Sequence, residues 1–318
     1  MEVVHTIPEL RAAVARARQA GQAIGFVPTM GALHAGHASL VDRAAADCAD
    51  VAVSIFVNPT QFGPGEDFGR YPRMLEADSR LLERQGVRWI FAPRVEDLYP
   101  PGAATRVVVE GPALPFEGAI RPGHFSGVAT VVCRLFTALP ADVAYFGAKD
   151  WQQTLVVKRM VRDLGLPVDV VVCPTMREPD GLALSSRNAY LDAADRGRAV
   201  VLHESLELAE RLWHAGTAVG VIERGMRDLL EARGVAVDYA AVVDAESLGP
   251  LPSAPTPAVA LVAGRLGSTH PARRLGPARR RVLRTCGVEP RAAGRGRDAR
   301  HPAARRGRDD PLDPAGAR

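Results

Sequence analysis

Lysine is almost missing from this chain. Its 318 residues hold two, Lys149 and Lys158, against thirty-eight arginines, so a position that keeps a compact ammonium is a candidate for chemistry that a planar guanidinium does not serve. Cysteine is scarce as well. Cys48, Cys133, Cys173 and Cys286 lie far apart and form no C-x-x-C pair, which argues against a disulfide framework and a cysteine zinc site and agrees with a reducing cytoplasm. No stretch approaches the roughly 18 apolar residues of a membrane span. The opening segment meets Pro8, Glu9, Arg11, Arg16 and Arg18 before any apolar run develops, so it does not read as a signal-peptide core. No Walker A sequence is present, and no Ser-His-Asp set can be assigned from spacing.

An evenly basic surface is missing too, although the net charge is +4. Residues 271–318 carry fourteen arginines and five acids, a net of +9, which leaves −5 over residues 1–270. The body is mildly acidic, and the overall charge is poor support for nucleic-acid binding by the folded part.

What is present is an alternation of helix and strand. Thr6-x-x-Glu9 reads as a capping box for a helix with Leu10, Ala13, Val14 and Ala17 on one face, stopped at Gly21. The strand AIGFV, the helix HASLVDRAAADCA and the continuous apolar run VAVSIFV follow, the last being the mark of a parallel strand covered on both faces. A helix over about 74–85, the strand VRWIFA, a helical stretch over 125–139, the short strand VAYFG, a helix over 150–164 and the strand PVDVVVC complete the first part. Repeated βα units with short connections predict an α/β, doubly wound, mostly parallel Rossmann-like sheet. The pattern changes near 176–187. Helical stretches over about 192–214 and 218–233 precede the strands VAVDYAAVVD and PAVALVAGRLG, which predict a smaller α+β unit. The expected division is 1–176, 177–268 and an Arg/Ala/Pro/Gly-rich tail over 269–318 that lacks the apolar periodicity to fold.

Ligands of an open parallel sheet bind beyond the carboxyl ends of its strands, and PTMGALHAGH, residues 28–37, is such a loop. A turn from strand into helix presents free N–H groups and the positive end of the helix dipole, a site suited to phosphate. Gly31 and Gly36 let the backbone approach closely, and His34 and His37, three apart, face the same way. Spacing alone leaves three readings of that pair: donors to a triphosphate, a metal pair, or helix caps. In VNPTQFGPGEDFGRYPR, residues 57–73, Asn58 and Gln61 are neutral groups suited to a small substrate's hydroxyls and carboxylate, or parts of a polar turn. GPGEDFG is not a dinucleotide fingerprint, since its glycine spacing is wrong and it opens no helix. FGAKDWQQ, residues 146–153, sets Lys149 at a strand end, whereas Lys158, in mid-helix, is expected on the surface. DGLALSSRN, residues 180–188, brings two hydroxyls and a guanidinium on a Gly-hinged loop, for phosphate oxygens or as a helix cap. RPGHF, residues 121–125, adds Arg121 and His124 on what reads as an exposed turn.

Five stretches, PTMGALHAGH, VNPTQF, RPGHFSGV, FGAKDWQQ and GLALSSRN, stand in the order and at the separations of the pantoate–β-alanine ligase (pantothenate synthetase) family, which the chain resembles from about Thr6 to Gly267. That family belongs to the nucleotidyltransferases with a His-x-Gly-His signature, and His34-Ala35-Gly36-His37 fits it. The resemblance implies ATP as substrate, with Mg²⁺ on its phosphates, a pantoyl adenylate, and its capture by β-alanine. It places ATP on Met30, Gly31, Ala32, Leu33, His34, Ala35, Gly36 and His37, on Gly147, Ala148, Lys149 and Asp150, with Asp150 on the ribose, and on Met176, Leu184, Ser185, Ser186 and Arg187. His37, His34, Lys149 and Arg187 are implied to stabilise the phosphates. Gln61 and Gln153, with Asn58 and Arg121, are implied to hold pantoate or β-alanine. Metal ligands stay unassigned; a homodimer through the first domain and a cytoplasmic location are implied, without a nucleic-acid or membrane partner. Leu184 stands where the family usually has Met, a volume-conserving difference.

Two other readings remain open. A related nucleotidyltransferase acting on a phosphorylated second substrate would want basic groups where this chain offers Asn58 and Gln61. A nucleic-acid-binding role would rest on the Arg-rich tail, and its affinity would fall steeply with salt. The tail itself departs from the family, because AGRLGSTH runs straight into PARRLGPARRR where a last Arg-Leu-hydrophobic-Asp-Asn segment is expected. Text rich in Arg, Ala, Pro and Gly is what a GC-rich coding region yields out of frame, and the expectation is a frame slip near His270. Genomic resequencing should restore the family's ending; an intact frame, with the tail confirmed by mass spectrometry of the native protein, would refute the slip.

Overall fold

The computed structural model describes residues 1–252, 256–266, 273–278 and 282–283, the last two segments by their backbone alone. The chain opens with a short strand, β1 (Glu2–Val4), then α1 (Ile7–Gln19), β2 (Ile24–Thr29), α2 (Ala35–Asp47) and β3 (Asp50–Ile55). A long loop with 3-10 turns at Pro59–Gln61 and Asp67–Gly69 leads to α3 (Leu75–Arg84), β4 (Trp89–Phe91) and the short helices α4 (Val95–Leu98) and α5 (Glu117–Ile120). The parallel part ends with α6 (His124–Ala138), β5 (Val143–Gly147), a 3-10 turn at Ala148–Asp150, α7 (Trp151–Leu164) and β6 (Asp169–Cys173). Local chemistry explains the boundaries. Thr6 accepts from the Glu9 N–H while the Glu9 carboxylate accepts from the Thr6 N–H, the predicted capping box. Gly165, left-handed at φ 60°, closes α7.

The six strands pair in the order β1-β4-β3-β2-β5-β6, and every pair is parallel. From β2 the chain builds outward through β3 and β4 on one side and through β5 and β6 on the other. The strand order therefore reverses between β2 and β5, and the loops leaving these two strands flank the crevice where ligands of such sheets bind. Helices cover both faces. Ile24 and Phe26 pack with α1 and α6, while Val27, their neighbour on the opposite face, packs with Leu40, Val41 and Leu82 of α2 and α3. The doubly wound sheet is the predicted one.

After a 3-10 turn at Ser186–Tyr190 come α8 (Ala193–Ala199), α9 (Val201–His214), α10 (Val219–Ala232), β7 (Ala236–Asp244) and β8 (Ala258–Leu266). The helix expected over 192–214 is two helices, because Val200 both ends α8 and caps α9. β7 and β8 are antiparallel, and β8 alternates strictly: Ala258, Ala260 and Val262 face α9 and α10, whereas Val259, Leu261 and Ala263 face Ala148 and Trp151 of the first sheet's loops. The second sheet thus sits directly on the segment that carries Lys149, and the Trp151 indole donates to the Ala245 carbonyl at 3.0 Å. Within the segment expected to be an unstructured tail, 273–278 and 282–283 have strand backbone paired with β8, forming β9 (Arg273–Ala278) and β10 (Val282–Leu283). The rest of 269–318 lies outside the described residues. The described residues within Met1–Cys286 form one compact unit containing both sheets.

One close approach fixes α6 against the 3-10 turn after β3. A Cβ on Gly127, in α6, would lie 2.3 Å from the Thr60 carbonyl oxygen and 2.7 Å from Gln61 Cα. Gly127→Ala should cost about 1–3 kcal/mol, read as a lower denaturation midpoint at unchanged m. Gly197→Ala in α8, where a Cβ meets nothing within 4 Å, should leave the midpoint equal or raise it.

Candidate active site

A cavity of about 860 Å³ opens at the reversal of strand order. Its wall includes Met30, His34, Gly36 and His37 from the loop after β2, Asn58 and Gln61 from the loop after β3, and Gly147, Lys149, Asp150 and Gln153 from the turn after β5. Arg121, Met176 and the run Leu184 to Arg187 complete it. Of the residues expected in the site, Gly31, Ala32, Leu33, Ala35 and Ala148 are off the wall: Ala35 is exposed, and Ala148 is buried under the second sheet. Lys158, as expected, is exposed.

The loop after β2 shows why its residue types are needed. His34 is the N-cap of α2: its Nδ1 accepts from the Gly36 N–H at 3.1 Å, and the His37 Nδ1 accepts from the His34 N–H at 3.4 Å. The two rings stack with centroids 4.2 Å apart. A Cβ on Gly36 would stand 2.9 Å from His34 Cε1, so only glycine leaves room for that ring. With both Nδ1 atoms accepting, each neutral imidazole carries its proton on Nε2, a donor left to the cavity. Electrostatics agrees. Burial, then the Lys149 ammonium, pushes His34 down to about 4, and burial, then His34 and Lys149, pushes His37 down to about 3. The helix-cap reading is met by the Nδ1 atoms, and Nε2 of each ring is left as a potential donor.

The loop after β3 divides its labour. Asn58 is 1% exposed; its amide donates to Gln61 Oε1 at 3.0 Å and to the Gly127 carbonyl at 3.1 Å, and its oxygen accepts from Thr60 and from the Tyr99 hydroxyl at 2.8 Å. Its polar atoms are engaged within the fold, and one of those bonds orients Gln61. The Gln61 amide reaches Met30 Sδ at 3.0 Å. On α7 the two glutamines part ways: Gln152 is buried, donating to the carbonyls of Pro112 and Pro115, and Gln153 lines the cavity.

In RPGHF the turn residues Pro122 and Gly123 are exposed, but Arg121 and His124 are not. The Arg121 side chain is 13% exposed; its guanidinium pairs closely with Glu66 and with Glu117 at 3.3 Å, and donates to the Gln61 carbonyl. His124 Nδ1 bonds the same carbonyl at 2.8 Å, and burial, with Arg121 next, pushes its ring down to about 4. Burial alone would raise the Glu66 carboxyl, and the bonds from Arg121 bring it below the ordinary range. Arg121 thus braces the Gln61 backbone while lining the cavity.

The 180–188 loop reaches across to the first sheet. Ser186 Oγ donates to the Ala32 carbonyl at 3.0 Å, Ser185 Oγ accepts from the Arg187 N–H, and the Arg187 guanidinium forms a bidentate pair with Asp67, both bonds at 3.0 Å. The two hydroxyls act as a cap and as a tie. Lys149 lies 3.3 Å from Asp150. Reading the sequence missed Asp67, Glu66 and Asp78. The first two stood in view as GPGEDFG, and acids three or more residues from any strand end carry no spacing signal.

The fold and the cavity together define a doubly wound α/β protein whose ligand site opens at the topological switch point. A model of the family described as pantoate-beta-alanine ligase matches residues 2–272. The pantothenate synthetase of Thermus thermophilus is 53% identical over 267 residues, covering 83% of this chain and 95% of that protein; that of Roseiflexus castenholzii is 51% identical over 272 residues, covering 85% and 97%. Among solved structures, pantothenate synthetase from Thermus thermophilus aligns with a TM-score of 0.79 at 53% identity, covering 83% of this chain and 95% of that one. Pantoate-beta-alanine ligase from Francisella tularensis, complexed with beta-gamma ATP and beta-alanine, aligns with a TM-score of 0.72 at 33% identity, covering 87% and 96%. This chain belongs to the pantoate–β-alanine ligase family and is a ligase.

The histidine geometry fixes a pH behaviour. Both folded values, about 4 and about 3, lie below the ordinary imidazole value of about 6.5, so on acidification the unfolded chain takes up protons first. The stability these rings contribute is complete above about pH 6.5 and is lost as the pH falls toward their folded values. Imidazole resonances of His34 and His37 should stay constant from about pH 8 to about pH 5; midpoints near the ordinary value would remove the neutral-donor assignment.

Proposed function

We propose that this chain condenses pantoate with β-alanine, consuming ATP and releasing AMP and diphosphate, through a pantoyl adenylate, and so serves pantothenate and coenzyme A biosynthesis. The observation that carries the reading is one shared cavity holding His34, His37, Lys149 and Arg187 beside the neutral amides of Gln61 and Gln153. The basic and donor groups suit a triphosphate, and the amides suit a small hydroxy acid without phosphate.

In the first step the pantoate carboxylate attacks the α-phosphorus. A new O–P bond forms, the bond to the bridging oxygen breaks, and the electron pair leaves with diphosphate. No base is needed, because a carboxylate of pKa about 4 is already ionised. Alignment and charge stabilisation supply the rate: Gln61 and Gln153 hold pantoate, the Nε2–H groups of His34 and His37 and the Lys149 ammonium meet charge moving onto the phosphates, and Asp150 takes the ribose. In the second step the free amine of β-alanine attacks the acyl carbon, AMP leaves with the C–O electron pair, and the amine gives up its proton. Arg187 reaches the phosphates by exchanging Asp67 for a phosphate oxygen, a like-for-like swap of bidentate acceptors.

Mg²⁺ belongs to this reading as a passenger of the nucleotide. Among the described residues no cluster of three or more His, Cys, Asp or Glu side chains could hold a metal, and a cation of this kind is commonly bound by phosphates and water with only one or two carboxylates. When bound it would neutralise charge on the phosphates. We further read residues 1–176 and 177–268 as two domains, the second closing over the first, and the protein as a cytoplasmic homodimer joined through the first domain. No helix among the described residues is long and apolar enough to cross a membrane.

ATP–diphosphate exchange should appear only when pantoate is present, and pantothenate only when β-alanine is added. His37→Ala should lower the exchange rate by roughly 10²- to 10³-fold, the usual effect of losing one preorganised donor. Exchange supported by a phosphorylated acceptor and not by pantoate would favour the related nucleotidyltransferase instead.

A further inference from the structure

The loop after β2 contains a conformational anomaly. Ala32 adopts φ 52°, a left-handed backbone that a residue with a Cβ avoids; such a position persists only where its surroundings hold it. What holds it is a carboxylate from another element. Asp78, in α3, is 3% exposed. Its Oδ2 accepts from the Ala32 N–H at 2.9 Å and its Oδ1 from the Leu33 N–H at 2.8 Å. The fit is close on the next residue as well, since a Cβ on Gly31 would lie 3.0 Å from Asp78 Oδ2. From this clamp the chain runs straight into His34, and the Ala32 carbonyl is the acceptor for Ser186.

A buried carboxylate is costly unless its lone pairs are met, and here both oxygens are met by consecutive backbone N–H groups of one loop. We propose that Asp78 is a positioning residue for the ligation: by clamping Ala32 in its left-handed conformation it sets where His34 and His37 present their Nε2–H groups and where the Ser185–Arg187 loop docks. It touches no reacting atom, and it stands off the cavity wall. The proposal rests on the reading of the histidines as phosphate donors.

A double-mutant cycle of Asp78→Asn and Ala32→Gly tests it, with ATP–diphosphate exchange, the KM of ATP, the KM of pantoate and thermal unfolding measured for all four proteins. Asp78→Asn keeps one acceptor but turns an N–H toward the other donor. It should lower exchange by about tenfold to hundredfold, the effect of misplacing catalytic groups by about 1 Å, and raise the KM of ATP while leaving that of pantoate unchanged. Glycine adopts the left-handed backbone freely. In the Ala32→Gly background the Asp78→Asn loss should therefore shrink by a factor of about 5 to 30, the worth of one left-handed alanine. If the asparagine protein does not fold, Asp78→Glu, which retains the charge but moves the carboxylate, takes its place in the same cycle. An equal loss in both backgrounds, or a loss that tracks unfolding temperature and raises both KM values alike, overturns the proposal. Absence of pantoate-dependent exchange in the unaltered protein would instead fail the functional reading itself, so the two failures are distinguishable.

Discussion

Backbone N–H groups at the start of α2 donate to Nδ1 of His34 and of His37, and that pair of bonds does two things at once. It satisfies donors that a helix start leaves unpaired, and it forces both imidazoles into the tautomer with a proton on Nε2. Burial is the largest penalty on the charged rings, and the Lys149 ammonium adds repulsion at both, so neutral rings are what this place can hold. On the proposed reading, a charged pair would bind phosphate more tightly before and during reaction alike, whereas neutral, fixed donors strengthen as charge accumulates during displacement, and differential binding is what accelerates a step.

The rest of the architecture keeps that arrangement still. The first sheet delivers the loop after β2 and the turn after β5 to the same crevice because its strand order reverses between them. The second sheet then presses Val259, Leu261 and Ala263 on Ala148 and Trp151, which fixes the turn bearing Lys149 from above. Asn58 and Arg121 both end on Gln61, one at its side-chain amide and the other at its backbone carbonyl. A single glutamine is thereby held at both ends, the preorganisation that the proposed reading of Gln61 as a pantoate ligand calls for.

Much of this was legible in the sequence because the signals were local. The Thr6 and Glu9 capping box, the strands VAVSIFV and VAYFG, and the glycine between the histidines are each explained by neighbours within a few positions. Long-range partners were not legible. Asp78 lies forty-odd positions from the loop it clamps and Asp67 far from Arg187, and an acid on a helix or in a Gly-rich loop reads as a solvated charge until the fold brings a donor to it. The strand β1 was passed over for a different reason: three residues give no periodicity, and its identity as a strand comes only from pairing with β4. The merger of α8 and α9 into one expected helix followed from unbroken helical patterning across Val200.

The compositional bias toward arginine sharpens the meaning of the single lysine in the crevice. Arginines near the site are used as planar forks against fixed carboxylates: Arg187 on Asp67, Arg121 on Glu66. A fork committed to a bidentate partner gives strong placement and little freedom. Lys149, with a point charge on a flexible stem and a 3.3 Å contact to its neighbour Asp150, is on the proposed reading free to follow a phosphate oxygen as it moves. In a chain that drifts so far toward guanidinium, the ammonium kept in the crevice is not held in a bidentate carboxylate pair, and on the proposed reading it is the group suited to charge that changes position, while Arg187 must first leave Asp67.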